Sequence, residues 1–368
     1  MPSSEMTRVG VIGAGSIGPV HIEAYKKVST AKIAAVCDID LARAETAAGK
    51  YEIPKTYEKY ADLLADPEID AVSVCVPNYL HAEIAVAALK AGKHVLCEKP
   101  MADTLAHAEE IAEAADEAAA RGQKLMIGMN NRFNGDTQAL KKAIDAGRLG
   151  EIYYAKCGWI RRKGIPGFGG WFTTKAKSGG GPLIDIGVHA LDLCLYLMGN
   201  PTPVAVSGST YAKFGPQGKG AGNWGSDSGS VSAVTYDVED LAAGLVKMSN
   251  GATLILEASW ASHIRSDHGP YATLIGDLGG AEIGASGGPG AVTAGLPATI
   301  FTDLDGQTVN VELKSNHIGG HDAEVRHFVD CVRSGDTPIS TARQGLHVLQ
   351  ILDALYRSAA AGREIVIG

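Results

Sequence analysis

Basic residues are in the minority: 33 lysines and arginines stand against 41 aspartates and glutamates, a net charge of −8. Nucleic acids and anionic membranes select basic faces, so neither is expected as a partner. Long apolar runs are also missing, since no stretch approaches the ~20 uninterrupted apolar residues of a membrane helix. The polar start, Met1 to Arg8, lacks the apolar core of a secretion signal, and a cytoplasmic protein is expected. Cysteine is sparse, and Cys37, Cys75, Cys97, Cys157, Cys194 and Cys331 include no Cys-x-x-Cys pair. Three of them sit in apolar strand-like runs, which argues for buried thiols; neither disulfides nor a metal is expected. No internal repeat is present.

What the chain does have is length and alternation. Its 368 residues exceed one ordinary core and fit two domains. Apolar runs at Arg8–Ile12, Lys32–Cys37, Ala71–Val76, His94–Cys97 and Lys124–Gly128 alternate with helical stretches such as Ala82–Ala91 and Leu105–Arg121. That alternation predicts a doubly wound α/β domain with a parallel sheet over residues 1–128. Beyond it, Glu151–Trp159, Val204–Tyr211, Ser230–Tyr236, Asp240–Met248 and Thr253–Ser259 read as strands separated by turns. They predict an α+β domain over 129–368 with a large, mostly antiparallel open sheet. Gly215–Ser230 and Gly279–Gly295 read as long loops. A last helix is expected at Thr341–Ala361, packing back toward the first domain.

The first strand runs into Gly13-Ala14-Gly15-Ser16-Ile17-Gly18, and the second ends at Asp38, twenty-five residues after Gly13. A Gly-x-Gly-x-x-Gly turn between a strand and a helix is a dinucleotide fingerprint. The first glycine makes the tight turn, the second admits a pyrophosphate, the third lets helix and strand close, and the anion rests on the helix N-terminus. Asp38 is placed to accept hydrogen bonds from the ribose hydroxyls and to repel a 2′-phosphate, so NAD is favoured over NADP despite the nearby Arg43. A strand-end aspartate capping the next helix would look the same.

Two further strand ends, Val76-Pro77-Asn78 with His81 and Cys97-Glu98-Lys99-Pro100, lie on the carboxyl edge where open α/β sheets bind ligands. Together with the glycine fingerprint, with Gly179-Gly180-Gly181-Pro182-Leu183-Ile184-Asp185-Ile186-Gly187-Val188-His189 and with Val238-Glu239-Asp240, they resemble the Gfo/Idh/MocA oxidoreductase family over essentially the whole chain. The resemblance implies a catalytic set of Lys99, Asp185 and His189. It also implies that Pro77, Asn78, Glu98 and Lys99 face the nicotinamide end of NAD. His81, Asn131 and Arg132 join the candidate cofactor residues, although each could equally serve the local fold.

The chemistry of that set stands on its own. Asp185 and His189 are four apart, so on a helix beginning near Pro182 they share a face. Taking a hydroxyl proton while hydride leaves the same carbon needs a base that titrates near neutrality, which histidine supplies, and an ammonium at Lys99 stabilises the alkoxide. Two hydrogen-bonded structural residues or two metal ligands remain the alternatives for the pair.

The stretch Trp159 to Phe172 mixes cations, indoles and glycines. Trp171 offers a plate for a sugar ring, and Arg161, Arg162 or Lys163 offer donors to its hydroxyls, with His317, His321 and Asp322 as candidates for the far wall. The expected activity is NAD-dependent oxidation of a secondary ring hydroxyl of a sugar, a glycoside (C3 of a glucoside or levoglucosan included) or a cyclitol. An inositol dehydrogenase, a redox-neutral NAD-dependent glycosidase and a non-catalytic nicotinamide sensor are the alternatives. Leu241, Leu245, Leu254 and Leu256 carry apolar side chains on both faces of the second sheet. They predict a homodimer or homotetramer joined through it, as the resemblance also implies.

Overall fold

The computed structural model describes residues 6–222, 236–284, 297–315 and 320–368. The chain forms two compact units: Met1–Phe133 with Ile318–Leu346, and Asn134–His317 with His347–Gly368. Residues 318–346 thus group with the N-terminal half, and the last helix begins in one unit and ends in the other.

The first unit holds β1 (Thr7–Ile12), α1 (Gly18–Tyr25), β2 (Ala31–Cys37), α2 (Leu41–Tyr51), β3 (Lys55–Tyr57), α3 (Tyr60–Ala65), β4 (Ala71–Val74), α4 (His81–Lys90), β5 (His94–Glu98), α5 (Leu105–Ala119) and β6 (Leu125–Gly128). The strands form a parallel sheet in the order β3-β2-β1-β4-β5-β6. Val9, Val11, Val36, Val72, Val74 and Leu96 are fully buried. Helices cover both faces of a parallel sheet, which is why its strands are apolar without alternation. The chain order reverses between β1 and β4, so the glycine turn after β1 and the Pro77-Asn78 turn after β4 flank the switch point where such sheets bind ligands.

A helix not singled out from the sequence completes this unit. In α9 (Gly320–Ser334), Val325, Phe328, Val329 and Val332 recur at helical spacing. They pack with Val9, Tyr25, Leu96 and Met126 in one cluster. β3, three residues long, was also not anticipated, being too short to show a period.

The second unit holds α6 (Gly135–Asp145), β7 (Ile152–Ile160), α7 (Lys175–Ser178), α8 (Val188–Leu197), β8 (Pro203–Tyr211), β9 (Leu241–Met248), β10 (Thr253–Ser259), β11 (His268–Gly276), β12 (Gly280–Gly284), β13 (Thr299–Leu304), β14 (Gln307–Glu312) and the end of α10 (Ala342–Ala361) with β15 (Ile365–Val366). The sheet order is β14-β13-β12-β11-β7-β10-β9-β8-β15. Only β7 and β10 pair in parallel; the other neighbours are antiparallel.

One expectation changes here. The tract Gly279–Gly295 does not begin as a loop, because Gly280–Gly284 is paired on both sides as β12. Leu254 and Leu256 are fully buried, whereas Leu241 and Leu245, on the other face of the sheet, stay half-buried. Most of the expected strand Ser230–Tyr236, most of the first glycine-rich tract's second half and His317 lie outside the described residues. The segment Lys175–Leu197 is long and apolar enough to cross a membrane, but 89% of its most apolar window is buried inside the protein, as a core helix requires. All six cysteines are buried and free.

Candidate active site

The glycine turn is built on close approach. Gly13 has φ +100°, and a Cβ there would lie 2.1 Å from the Cys75 carbonyl oxygen. A Cβ on Gly18 would lie 2.1 Å from the Gly13 carbonyl, whereas Gly15 faces open space. The outer glycines therefore hold α1 against the turn, and the middle one leaves room at its N-terminus. Ser16 is exposed beside it and Ile17 half-buried.

Asp38 closes the same loop. Its Oδ2 accepts the Ala14 N–H at 2.8 Å and its Oδ1 accepts the Asp40 N–H at 2.9 Å. Asp40, not Asp38, caps α2, accepting from the Arg43 N–H at 3.4 Å. Arg43 lies 3.6 Å from Asp38 and 3.7 Å from Asp40, so its charge is balanced by two carboxylates. Ile39 is 89% exposed.

At the β4 and β5 ends, Asn78 is buried and Pro77 half-buried. His81 is enclosed: Nδ1 lies 2.8 Å from the Pro100 carbonyl and Nε2 2.8 Å from the Val76 carbonyl. It fastens the turn after Lys99 to the end of β4, a positioning task, while burial pushes its pKa down. Glu98 is buried; its Oε1 lies 2.8 Å from His21 Nε2 and its Oε2 accepts the Lys99 N–H at 3.1 Å. Burial alone would raise this carboxyl, yet the neighbouring His21, His321 and Lys99 hold it below the usual carboxylate range. Lys99 is half-buried.

In the second unit, residues 183–187 form one π turn that runs directly into α8, closed by the Val188 N–H to the Leu183 carbonyl. Such widened turns are frequent at functional sites. Every residue from Gly181 to Leu197 is buried except Asp185 and His189, which are half-buried. In this buried run these are the two polar groups left partly exposed; Asp192, also on α8, is buried.

Residues distant in sequence fix that turn. Glu239 Oε2 accepts the Gly181 N–H at 3.0 Å, and its Oε1 accepts the Leu183 N–H at 3.1 Å and the Tyr356 hydroxyl at 2.8 Å. Burial pushes the Glu239 carboxyl up. The fully buried Trp260 donates its indole N–H to Asp185 Oδ2 at 3.0 Å. Trp159 lies against His189, ring centroids 5.9 Å apart, and carries the Arg161 guanidinium 4.7 Å from its own ring. Burial lowers the Arg161 pKa while the Asp185 charge opposes that shift. His189, Trp159, Arg161, Asp185 and Trp260 thus form one connected group. Trp260, absent from the residues singled out above, stands 75 positions from Asp185, and no local spacing announces the pair.

Other expected residues have contacts of their own. Arg162 is exposed; its N–H donates to Asp267 at 2.6 Å and its guanidinium to the Arg265 carbonyl at 3.2 Å. Trp171 stacks on Phe172 at 3.8 Å. Asn131 and Arg132 sit in a short 3₁₀ turn at 130–133. Arg132 is fully buried, donating to the Ile339 carbonyl at 2.5 Å and to Gln344 Oε1 at 2.6 Å, contacts that fasten the α9–α10 connection. His321 lies in the first turn of α9 in the nucleotide-binding unit, next to His21 and Glu324.

Comparison with known proteins agrees with this architecture. Residues 7–128 match the model of an oxidoreductase family with an NAD-binding Rossmann fold, and residues 141–367 match its C-terminal alpha/beta domain. The chain is 36% identical over 367 residues to a D-glucoside 3-dehydrogenase of Escherichia coli K12, covering 99% of this chain and 98% of that one. It is 31% identical over 276 residues to a levoglucosan dehydrogenase of Pseudarthrobacter phenanthrenivorans, covering 71% and 70%. An aldose-aldose oxidoreductase of Caulobacter crescentus, solved with glycerol, superimposes with a TM-score of 0.79 at 26% identity, covering 98% of this chain and 100% of that one. The chain belongs to the Gfo/Idh/MocA family of oxidoreductases.

Proposed function

We propose that the protein is an NAD-dependent dehydrogenase that oxidises a secondary ring hydroxyl of a sugar or glycoside, with Lys99, Asp185 and His189 as its catalytic residues. The observation that carries the reading is the π turn: from Gly181 to Leu197 only Asp185 and His189 remain partly exposed. The similarity to a D-glucoside 3-dehydrogenase along nearly the full length makes a glucoside, with its C3 hydroxyl as the reacting group, the first substrate to try.

The turn Gly13–Gly18 fits a dinucleotide, since its open middle glycine precedes a helix N-terminus and Asp38 stands at the next strand end. Gly13, Gly15, Ser16, Ile17 and Gly18 would hold the pyrophosphate, Asp38 the adenosine ribose, and Asn78 and Glu98 the nicotinamide end. When bound, the nicotinamide supplies the hydride acceptor. His189 takes the hydroxyl proton, Lys99 lowers the energy of the developing alkoxide, and Asp185, held by Trp260, fixes the electrostatic setting of the base. Arg161, mounted on Trp159, is the favoured donor to a neighbouring sugar hydroxyl. NAD is favoured over NADP because Asp38 repels a 2′-phosphate and Arg43 is already balanced by two carboxylates.

The half-exposed face of the second sheet supports a homo-oligomer. There Lys156, Glu257 and Tyr271 line a cavity of about 460 Å³, and Tyr153 and Ile275 are exposed.

A screen of glucosides, levoglucosan, free aldoses and inositols with NAD and with NADP, recording reduced cofactor and organic product, tests the reading. A keto-sugar formed with one NADH per turnover is expected. Release of aglycone without net NADH would replace it with a redox-neutral glycosidase, and no turnover with any of these substrates would overturn it.

A further inference from the structure

The nucleotide-binding unit contains a second polar cluster, outside the residues that carry the proposed chemistry except for Glu98. His21 (α1), Glu98 (β5), His321 and Glu324 (both α9) bring four donor atoms within 4.8 Å of one another, in a region where His21, Glu98 and Glu324 are buried. His21 Nε2 lies 2.8 Å from Glu98 Oε1, and His321 Nδ1 lies 3.2 Å from Glu324 Oε2.

The far side of each imidazole is held. His21 Nδ1 meets the Ser73 hydroxyl at 3.2 Å, and Ser73 is bonded in turn to the Tyr25 hydroxyl at 2.9 Å. His321 Nε2 meets the Asn130 side-chain amide at 3.1 Å, and Asn130 Oδ1 has no partner. Turning the amide over, its two ends being nearly isosteric, lets Oδ1 accept from Nε2–H and carries the amide N–H to the position that has no partner. With those outer hydrogens in place, the inner nitrogens present lone pairs to two carboxylates. Second-shell acceptors that fix ring and tautomer in this way are what metal-binding histidines have.

Lone pairs facing carboxylates need positive charge between them. Two protons would supply it, one on each imidazole, but they leave Glu324 Oε1 buried and unpartnered. A buried carboxylate oxygen without a partner costs free energy. One divalent cation neutralises both carboxylates, accepts both nitrogen lone pairs and gives the second Glu324 oxygen a bond. We propose that His21, Glu98, His321 and Glu324 form a binding site for a divalent metal of the zinc class, which ties α1, β5 and α9 together behind the Lys99 turn. Two imidazoles and two carboxylates suit Zn²⁺. Tetrahedral bonds of about 2.0–2.1 Å put ligand atoms ~3.4 Å apart, so the widest pair closes by no more than roughly 1.4 Å, within the reach of rotamer adjustment. The four positions, 21, 98, 321 and 324, follow no metal-motif spacing, which is why the sequence showed no metal site.

The test uses the full chain. After treatment with a chelator and desalting, the protein is titrated with Zn²⁺, and retained metal is measured after gel filtration, with Co²⁺ as a spectroscopic substitute. The expected result is one ion per chain with micromolar or tighter affinity, tetrahedral Co²⁺ bands, and a rise in melting temperature. Glu324→Gln and His321→Asn, each checked for folding by circular dichroism, should weaken binding by about 100-fold or more, beyond the 10–100-fold typical of outer-shell changes. Retention below about a tenth of an ion per chain, against the one-to-one ratio of a structural zinc site, would overturn the proposal and leave a proton-held ion-pair network. Unchanged binding in both variants would overturn it as well, by placing the ion elsewhere.

Discussion

The two units assemble their candidate sites in opposite ways. In the nucleotide-binding unit the cofactor loop is made by near neighbours: Gly13, Gly18 and Asp38 fall within 26 residues, Gly18 lying against the Gly13 carbonyl and Asp38 accepting the Ala14 N–H. In the second unit, Asp185 and His189 are local to each other, but what holds them comes from far along the chain: Glu239, Trp260 and Tyr356. A parallel βα unit closes its ligand loop within one crossover, so its motif is compact in sequence. A mixed sheet with strands taken out of order brings together side chains whose separation encodes nothing.

If that contrast holds, damage differs between the units. The largest effect is expected at Lys99. Lys99→Ala should lower kcat by about 10² or more, the scale of a charge-stabilising group, with NAD affinity by protein fluorescence nearly unchanged. Near-normal turnover in the folded variant would remove Lys99 from the reaction. In the local loop, Asp38→Ser with Ile39→Arg should move the NADP-to-NAD ratio of kcat/KM toward NADP by about tenfold or more, roughly 1.4 kcal/mol, by replacing repulsion with a phosphate-binding donor. An unmodified enzyme that already prefers NADP would contradict the ribose assignment.

The long-range support is probed by Trp260→Phe, which keeps most of the bulk and removes only the N–H donated to Asp185. Losing a hydrogen bond to a charged group costs about 1.5–3 kcal/mol. The expectation is a fall in kcat of about tenfold or more with KM for the glycoside little changed; a pure loss of melting temperature with kcat intact would make Trp260 merely structural. The smallest effect concerns a purely local network. Asp66 accepts from Lys55 Nζ at 2.7 Å, from the Glu68 N–H at 2.8 Å and from the Tyr57 hydroxyl at 2.8 Å. These bonds, the Lys55 one foremost, hold its carboxyl at about 2. Because the folded value lies below the unfolded one of about 3.9, the contribution is present above that value and is lost as pH falls through about 2. Lys55→Met should raise the Asp66 titration midpoint seen by NMR and bring acid unfolding to slightly higher pH. An unmoved midpoint would show that the backbone bond suffices.

Much of this was legible from residues alone, and the misses share a cause. The apolar runs of β1, β2, β4, β5 and β6 announce a parallel sheet because both faces are buried, and the fingerprint announces its loop because Gly13 and Gly18 are sterically required there and Gly15 leaves open space between them. The spacing of Asp185 and His189 indicates a shared helical face, although the π geometry leaves no trace in spacing. Arg132 and His321, singled out as ligand candidates, are held by Ile339, Gln344 and Glu324, contacts that spacing could not show because α9 returns to the nucleotide-binding unit after a long excursion of the chain. Trp260 and the His21–Glu98–His321–Glu324 cluster were invisible for the same reason.

The central claim, that His189 on the π turn accepts the hydroxyl proton while hydride leaves, is tested by single-turnover mixing of NAD-loaded enzyme with a glucoside, followed by the absorbance of reduced nicotinamide. The account predicts rapid reduction by the unmodified enzyme, slowed by a primary isotope effect when the reacting carbon carries deuterium. In a folded, NAD-binding His189→Ala variant the rate should fall by about 10²-fold or more, as expected for loss of a general base. Reduction by that variant at the unmodified rate would contradict it.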